Sequence, residues 1–104
     1  VVSGIINQPP DIDAVLCAND NMALGAVSAL KSAGKLGEVE VIGYDNIGAI
    51  QDLIKEGDVL CTIDQHADKI AVRGIEYALE MLNKDIQPED RETPVDLITA
   101  ETLK

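Results

Sequence analysis

Apolar residues follow two alternating rhythms along this chain. Short runs stand at 14–18 (Ala-Val-Leu-Cys-Ala), 39–44 (Val-Glu-Val-Ile-Gly-Tyr), 59–63 (Val-Leu-Cys-Thr-Ile) and about 95–99 (Val-Asp-Leu-Ile-Thr). Each reads as a strand, and the first has the composition of a parallel strand buried on both faces. Between the runs the apolar spacing becomes helical. Met22, Ala23, Ala26, Val27, Leu30 and Ala33 form one stripe, with Asn19-Asp20-Asn21 to cap its start and Gly34 to end it. Ile47, Ile50, Leu53 and Ile54 mark a shorter helix closed by Gly57. The longest runs over about 67–83, with Ile70, Ala71, Gly74, Ile75, Ala78, Leu79 and Leu82 on one side. At the start, Val2, Ile5 and Ile6 keep helical spacing until Pro9-Pro10, which no helix continues through. That segment reads as the last two turns of a helix begun earlier.

Strands alternating with helices predict an α/β fold: an open parallel sheet with helices on both faces, joined by right-handed crossovers. The 104 residues suffice for one domain with a modest core. That core is aliphatic, because Trp and Phe are absent and the aromatic residues are Tyr44 and Tyr77. Few platforms exist on which a flat ligand could stack. Nineteen acidic residues against eight basic ones give a net charge of −11 with no basic run, which argues against nucleic-acid binding. Cys17 and Cys61 are far apart in apolar runs and read as buried free thiols, although spacing alone does not rule out a disulfide. With His66 the only histidine, a Cys/His metal site lacks ligands, and no cofactor motif is present. No run reads as a signal peptide, membrane span or lipidation signal.

In an open parallel sheet, ligands bind beyond the carboxyl ends of the strands. Three strands end there in a polar cluster: Asn19-Asp20, Asp45-Asn46 and Asp64-Gln65. Such residues cap helices and form turns in any case. Three in register at one edge, however, mix amide donors with carbonyl and carboxylate acceptors, and that mixture suits a polyhydroxyl compound. It does not suit phosphate, which needs cations or backbone N–H groups. Asp45 with Asp20 nearby also allows a receiver-like phosphoacceptor. That chemistry needs a Lys after a later strand, where Asp64-Gln65 stands instead. No nucleophilic triad and no glycine-rich phosphate loop appear, so catalysis is not expected.

The segment from Asp13 through Asn19-Asp20-Asn21-Met22-Ala23 to Gly25-Ala26 resembles ribose-type periplasmic binding proteins and the sugar-responsive repressors related to lac repressor. Val41-Ile42-Gly43-Tyr44-Asp45-Asn46, Thr62-Ile63-Asp64-Gln65 and Pro94-Val95-Asp96-Leu97-Ile98-Thr99 resemble the family's following segments in the same order. The resemblance implies that Asn19, Asp45 and Gln65 contact a monosaccharide, with Asp20 a cap or structural acceptor. It implies a C-terminal piece of a two-lobed protein. Residues 1–65 would end the C-terminal lobe, 66–94 would belong to the other lobe, and 95–104 would be the closing strand and tail. Asn46 departs from many ribose binders, which have glycine there. The implied role is the extracytoplasmic receptor of an ABC sugar importer, in the periplasm or as a cell-surface lipoprotein, delivering sugar to a membrane permease. The alternative is the ligand-sensing domain of a lac-repressor-family regulator. Uncovered stripes such as Ile70, Ile75 and Leu82 also lead to an expectation of self-association.

Overall fold

The computed structural model describes residues 1–6, 11–84 and 92–103, so Pro9-Pro10 and Pro88 lie outside the described residues. The elements are α1 (Val2–Ile6), β1 (Ala14–Leu16), α2 (Asp20–Ser32), β2 (Glu40–Ile42), α3 (Gly48–Glu56), β3 (Cys61–Asp64), α4 (Ala67–Lys84) and β4 (Asp96–Thr99). The sheet order is β1-β2-β3-β4.

Local chemistry explains both ends of α2. The Asn19 carboxamide oxygen accepts from Met22 N at 2.9 Å, satisfying one orphan donor of the first turn. At the other end Gly34 takes φ 68°, and Lys35 N and Gly34 N donate back to Leu30 O and Lys31 O. This is the paired-bond ending that glycine makes accessible. Gly57 closes α3 in the same left-handed conformation, φ 89°. The middle of the α2 stripe and the α3 stripe then do what their spacing predicts, whereas Met22 and Ala33, at the two ends of the α2 stripe, are exposed. Ala23, Ala26, Val27 and Leu30 of α2 meet Val41 of β2 and Ile50 and Ile54 of α3 in one core, which also takes in Ile6, Val39 and Val59.

Of three features, the first and third differ from the expectation, and the second, the uncovered side of the last helix, agrees with it. The strands β1, β2 and β3 pair in parallel, but β4 runs antiparallel to β3, with Cys61 opposite Thr99 and Asp64 opposite Asp96. A parallel return needs the intervening helix to pack back across the sheet. The helix α4 buries no side chain, so no such crossover forms. Second, α4 leaves its apolar side uncovered among the described residues, with Leu82 at 82% and Ile75 at 64% exposure. The chain is correspondingly extended: its radius of gyration is 18.1 Å, against about 13 Å for a compact domain of this length. Third, β1 is not buried on both faces. It is the first strand in the sheet order, and Leu16 is 77% exposed. No described helix is long and apolar enough to cross a membrane.

Candidate ligand-binding site at the carboxyl ends of the strands

Parallel pairing carries the three polar clusters to one edge and holds them there through the backbone. Cys17 N donates to Ile42 O and Gly43 N to Cys61 O. The same ladder continues past the strands, with Asp20 N donating to Tyr44 O and Asp45 N to Ile63 O, both at 2.8 Å. The strand-end segments around Asn19, Asp45 and Asp64 therefore lie side by side.

Asn19 is both a helix cap and a site candidate. Its oxygen is spent on Met22 N, while among the described residues its amide nitrogen has no partner and can donate outward. Asp45 and Gln65 are brought into direct contact, Gln65 Nε2 donating to Asp45 Oδ1 at 2.8 Å. The second Asp45 oxygen has no described partner, so it can accept from a ligand hydroxyl. Asp45 also has φ 126° and Asn46 φ 63°, backbone conformations uncommon for residues with a side chain. Such strain persists only where the surroundings over-determine it, and it concentrates at functional sites. Asn19 makes no hydrogen bond to Asp45 or Gln65. It reaches them only through the neighbouring Asp20–Tyr44 backbone bond.

Asp20 turns inward, as a structural acceptor would. It is fully buried, and its carboxylate accepts from Thr62 Oγ1 at 2.7 Å and from Ile47 N at 2.9 Å. One carboxylate thus ties the start of α2, the approach to α3 and the middle of β3. Sequence reasoning passed over two partners of this arrangement. Thr62 is fully buried, though its position in an apolar run gave it no polar signal. Gly43 is the other: a Cβ built there would land on Asp20 Oδ1. A lone strand-end glycine has no signature of its own, and only the buried carboxylate beneath it shows why a side chain cannot stand there.

A second polar chain runs across the edge. Gln51 Nε2 donates to Asn46 Oδ1 at 2.9 Å, and Asn46 Nδ2 donates to Asp64 Oδ2 at 3.2 Å. Asp64 Oδ1 accepts from His66 N at 2.8 Å, and His66 Nε2 meets Asp96 Oδ2 at 2.7 Å. The His66 backbone N–H and the Asn46 amide hold the Asp64 carboxyl below the ordinary carboxylate range, helped by the nearby charges of His66 and Lys69. The two thiols are free, as expected, but only Cys61 is buried and Cys17 is half-buried. Burial pushes both up, and the neighbouring Asp20 charge raises Cys17 further.

Two concavities lie elsewhere among the described residues. One is at the amino ends of the strands, lined by Ile6, Asp13, Lys35 and Val39. Another is apolar, between α1, β1 and α2, and includes Val2, Leu16, Met22 and Ala29. Neither contains Asn19, Asp45 or Gln65. No group of His, Cys, Asp and Glu among the described residues could hold a metal ion.

An open α/β sheet with polar groups along its carboxyl edge is the arrangement in which ligands are bound beyond the strand ends. The periplasmic binding protein domain model matches residues 1–86, and the chain belongs to that family. It is 50% identical to the D-ribose/D-allose-binding protein of Pseudomonas aeruginosa over 96% of this chain and 33% of that protein. Among solved structures, it resembles an ABC transporter periplasmic solute binding protein from Actinobacillus succinogenes with bound D-allose. The TM-score is 0.89 and the identity 36%, covering 98% of this chain and 36% of that one. A solute binding protein from Bacillus halodurans with bound myo-inositol matches at TM-score 0.88 and 35% identity, over 98% of this chain and 35% of that one. The chain therefore spans about a third of the length of these relatives.

Proposed function

We propose that this chain supplies one wall of a cleft that binds a neutral monosaccharide or cyclitol, in the solute receptor of an ABC importer. The observation that carries the reading is the Asp45–Gln65 pair, held beside Asn19 by backbone bonds between adjacent strand ends. Asp45 offers a carboxylate oxygen, Gln65 an amide and Asn19 an amide N–H, the alternation of acceptor and donor that vicinal hydroxyls need. The three residues include no cation, which favours an uncharged polyol over a sugar phosphate. The named ligands of the similar proteins, D-ribose, D-allose and myo-inositol, share that chemistry.

The family resemblance supports a non-catalytic role outside the cytoplasm, with a membrane permease as partner. In this reading residues 1–65 close the C-terminal lobe, 66–94 belong to the facing lobe, and 95–104 form the closing strand and tail. The facing lobe supplies the opposite wall by hinge closure. Thermal unfolding of the full-length protein with D-ribose, D-allose, other pentoses and hexoses, and myo-inositol tests this. Ligand at a hundred times its Kd adds about 2.7 kcal/mol to the native state, a rise of several degrees. The rise should shrink or vanish in Asn19→Ala, Asp45→Ala and Gln65→Ala. A panel in which no polyol moves the transition refutes the reading.

A further inference from the structure

We propose that Asn46 is a positioning residue for the Asp45 carboxylate, braced from outside the cleft by Gln51 and Asp64, rather than a ligand contact itself. The inference rests on the proposed polyol site and deepens it. Asn46 follows directly on the candidate acceptor, where a polar residue at a strand end would ordinarily be taken as a further sugar contact. Its polar groups are instead engaged within the protein. The side-chain oxygen accepts from Gln51 Nε2 of α3, the side-chain nitrogen donates to Asp64 Oδ2 of β3, and the backbone N–H points to Thr62 Oγ1 at 3.4 Å.

The backbone explains why such a brace matters. Asp45 and Asn46 both have positive φ, 126° and 63°. Asn tolerates the left-handed conformation better than most residues, and glycine adopts it freely. Glycine at 46 would therefore keep the path of the chain but leave the peptide between 45 and 46 free to rotate. The Asn side chain spans from helix to strand and removes that freedom. The direction of the Asp45 carboxylate is then set from two sides: Gln65 holds Oδ1, and the Asn46 bridge holds the backbone behind it. Asp64 accepts from Asn46 on one oxygen and from His66 N on the other, so the bridge is anchored where the chain leaves the sheet.

The test is calorimetric titration of the full-length protein with whichever of D-ribose, D-allose and myo-inositol binds it. Gln51→Ala and Asn46→Gly each weaken binding about three- to tenfold. The double variant is no weaker than Asn46→Gly alone, because both act through one bridge. Asn46→Asp places a second carboxylate against Asp64, and two such groups share a proton at raised pKa. Its affinity relative to the unmodified protein therefore recovers as pH falls from 7 towards 5, a profile that a purely structural role would not produce. Binding within twofold of the unmodified protein in Gln51→Ala and Asn46→Gly overturns the proposal. So do single effects that multiply in the double variant, or an Asn46→Asp profile parallel to the unmodified protein. If Asn46→Gly fails to fold, Gln51→Ala and Asn46→Asp decide the matter. An unmodified protein that binds no polyol overturns the site and this inference together, whereas intact binding insensitive to these changes overturns this inference alone.

Discussion

Gly43→Ala should be far more damaging than the addition of one methyl group suggests. The new Cβ would clash with Asp20 Oδ1 and lie 3.2 Å from Asp20 Cγ and 3.4 Å from Ala23 Cβ. The carboxylate must move to admit it. It is fully buried, however, and already committed to Thr62 Oγ1 and Ile47 N. Hydrogen bonds to a charged group contribute about 1.5–3 kcal/mol each, so losing both costs about 3–6 kcal/mol. Against a total of about 5–15 kcal/mol, that is a large part of the stability of an ordinary domain. Equilibrium urea unfolding of the full-length protein reads it directly: with a slope of about 1–3 kcal/mol per molar, the midpoint drops by about 1 M or more. The decisive control is the same change in an Asp20→Ala background. Asp20→Ala is itself destabilising, since it strands the Thr62 hydroxyl and the Ile47 N–H, but it empties the space the Cβ needs. There Gly43→Ala should cost less than about 1 kcal/mol, leaving a large coupling between the two positions. Additive effects, or a single variant as stable as the unmodified protein, would refute the assignment of Gly43 as the roof over Asp20.

Two further outcomes follow from packing and from the thiols. Ile50→Ala removes a fully buried side chain from the core that α3 shares with α2 and Val41 and should cost about 2–5 kcal/mol by urea unfolding, and a loss under 1 kcal/mol would mean that the core is not closed there. Because burial raises the Cys17 and Cys61 thiols, their contribution to stability is present below the ordinary thiol range and is lost as pH rises through the folded values. Stability should therefore fall more steeply in alkaline solution than in a Cys17→Ala, Cys61→Ala variant, and identical slopes would contradict the raised values.

The sequence by itself determined the order and kind of every described element, because these depend on chemistry within a few residues. Helical spacing marked Ala23, Ala26, Val27 and Leu30 as a core stripe, and Asn19 and Gly34 announced the two ends of α2. Polar residues at strand ends placed Asn19, Asp45 and Gln65 at one edge, since parallel strands all point their carboxyl ends the same way. Tertiary structure alone decided the remainder, because it depends on partners distant along the chain. The resemblance already gave Asp20 a structural role, but the partner that draws it inward, Thr62, stands forty-two positions away and is visible only in the fold. The same buried carboxylate gives Gly43 its meaning. The direction of β4 depended on whether α4 packs back across the sheet, and an apolar stripe states that a helix has a face to bury without saying against what. Local periodicity specifies which surface each element must cover, and only the assembled chain specifies which surface covers it.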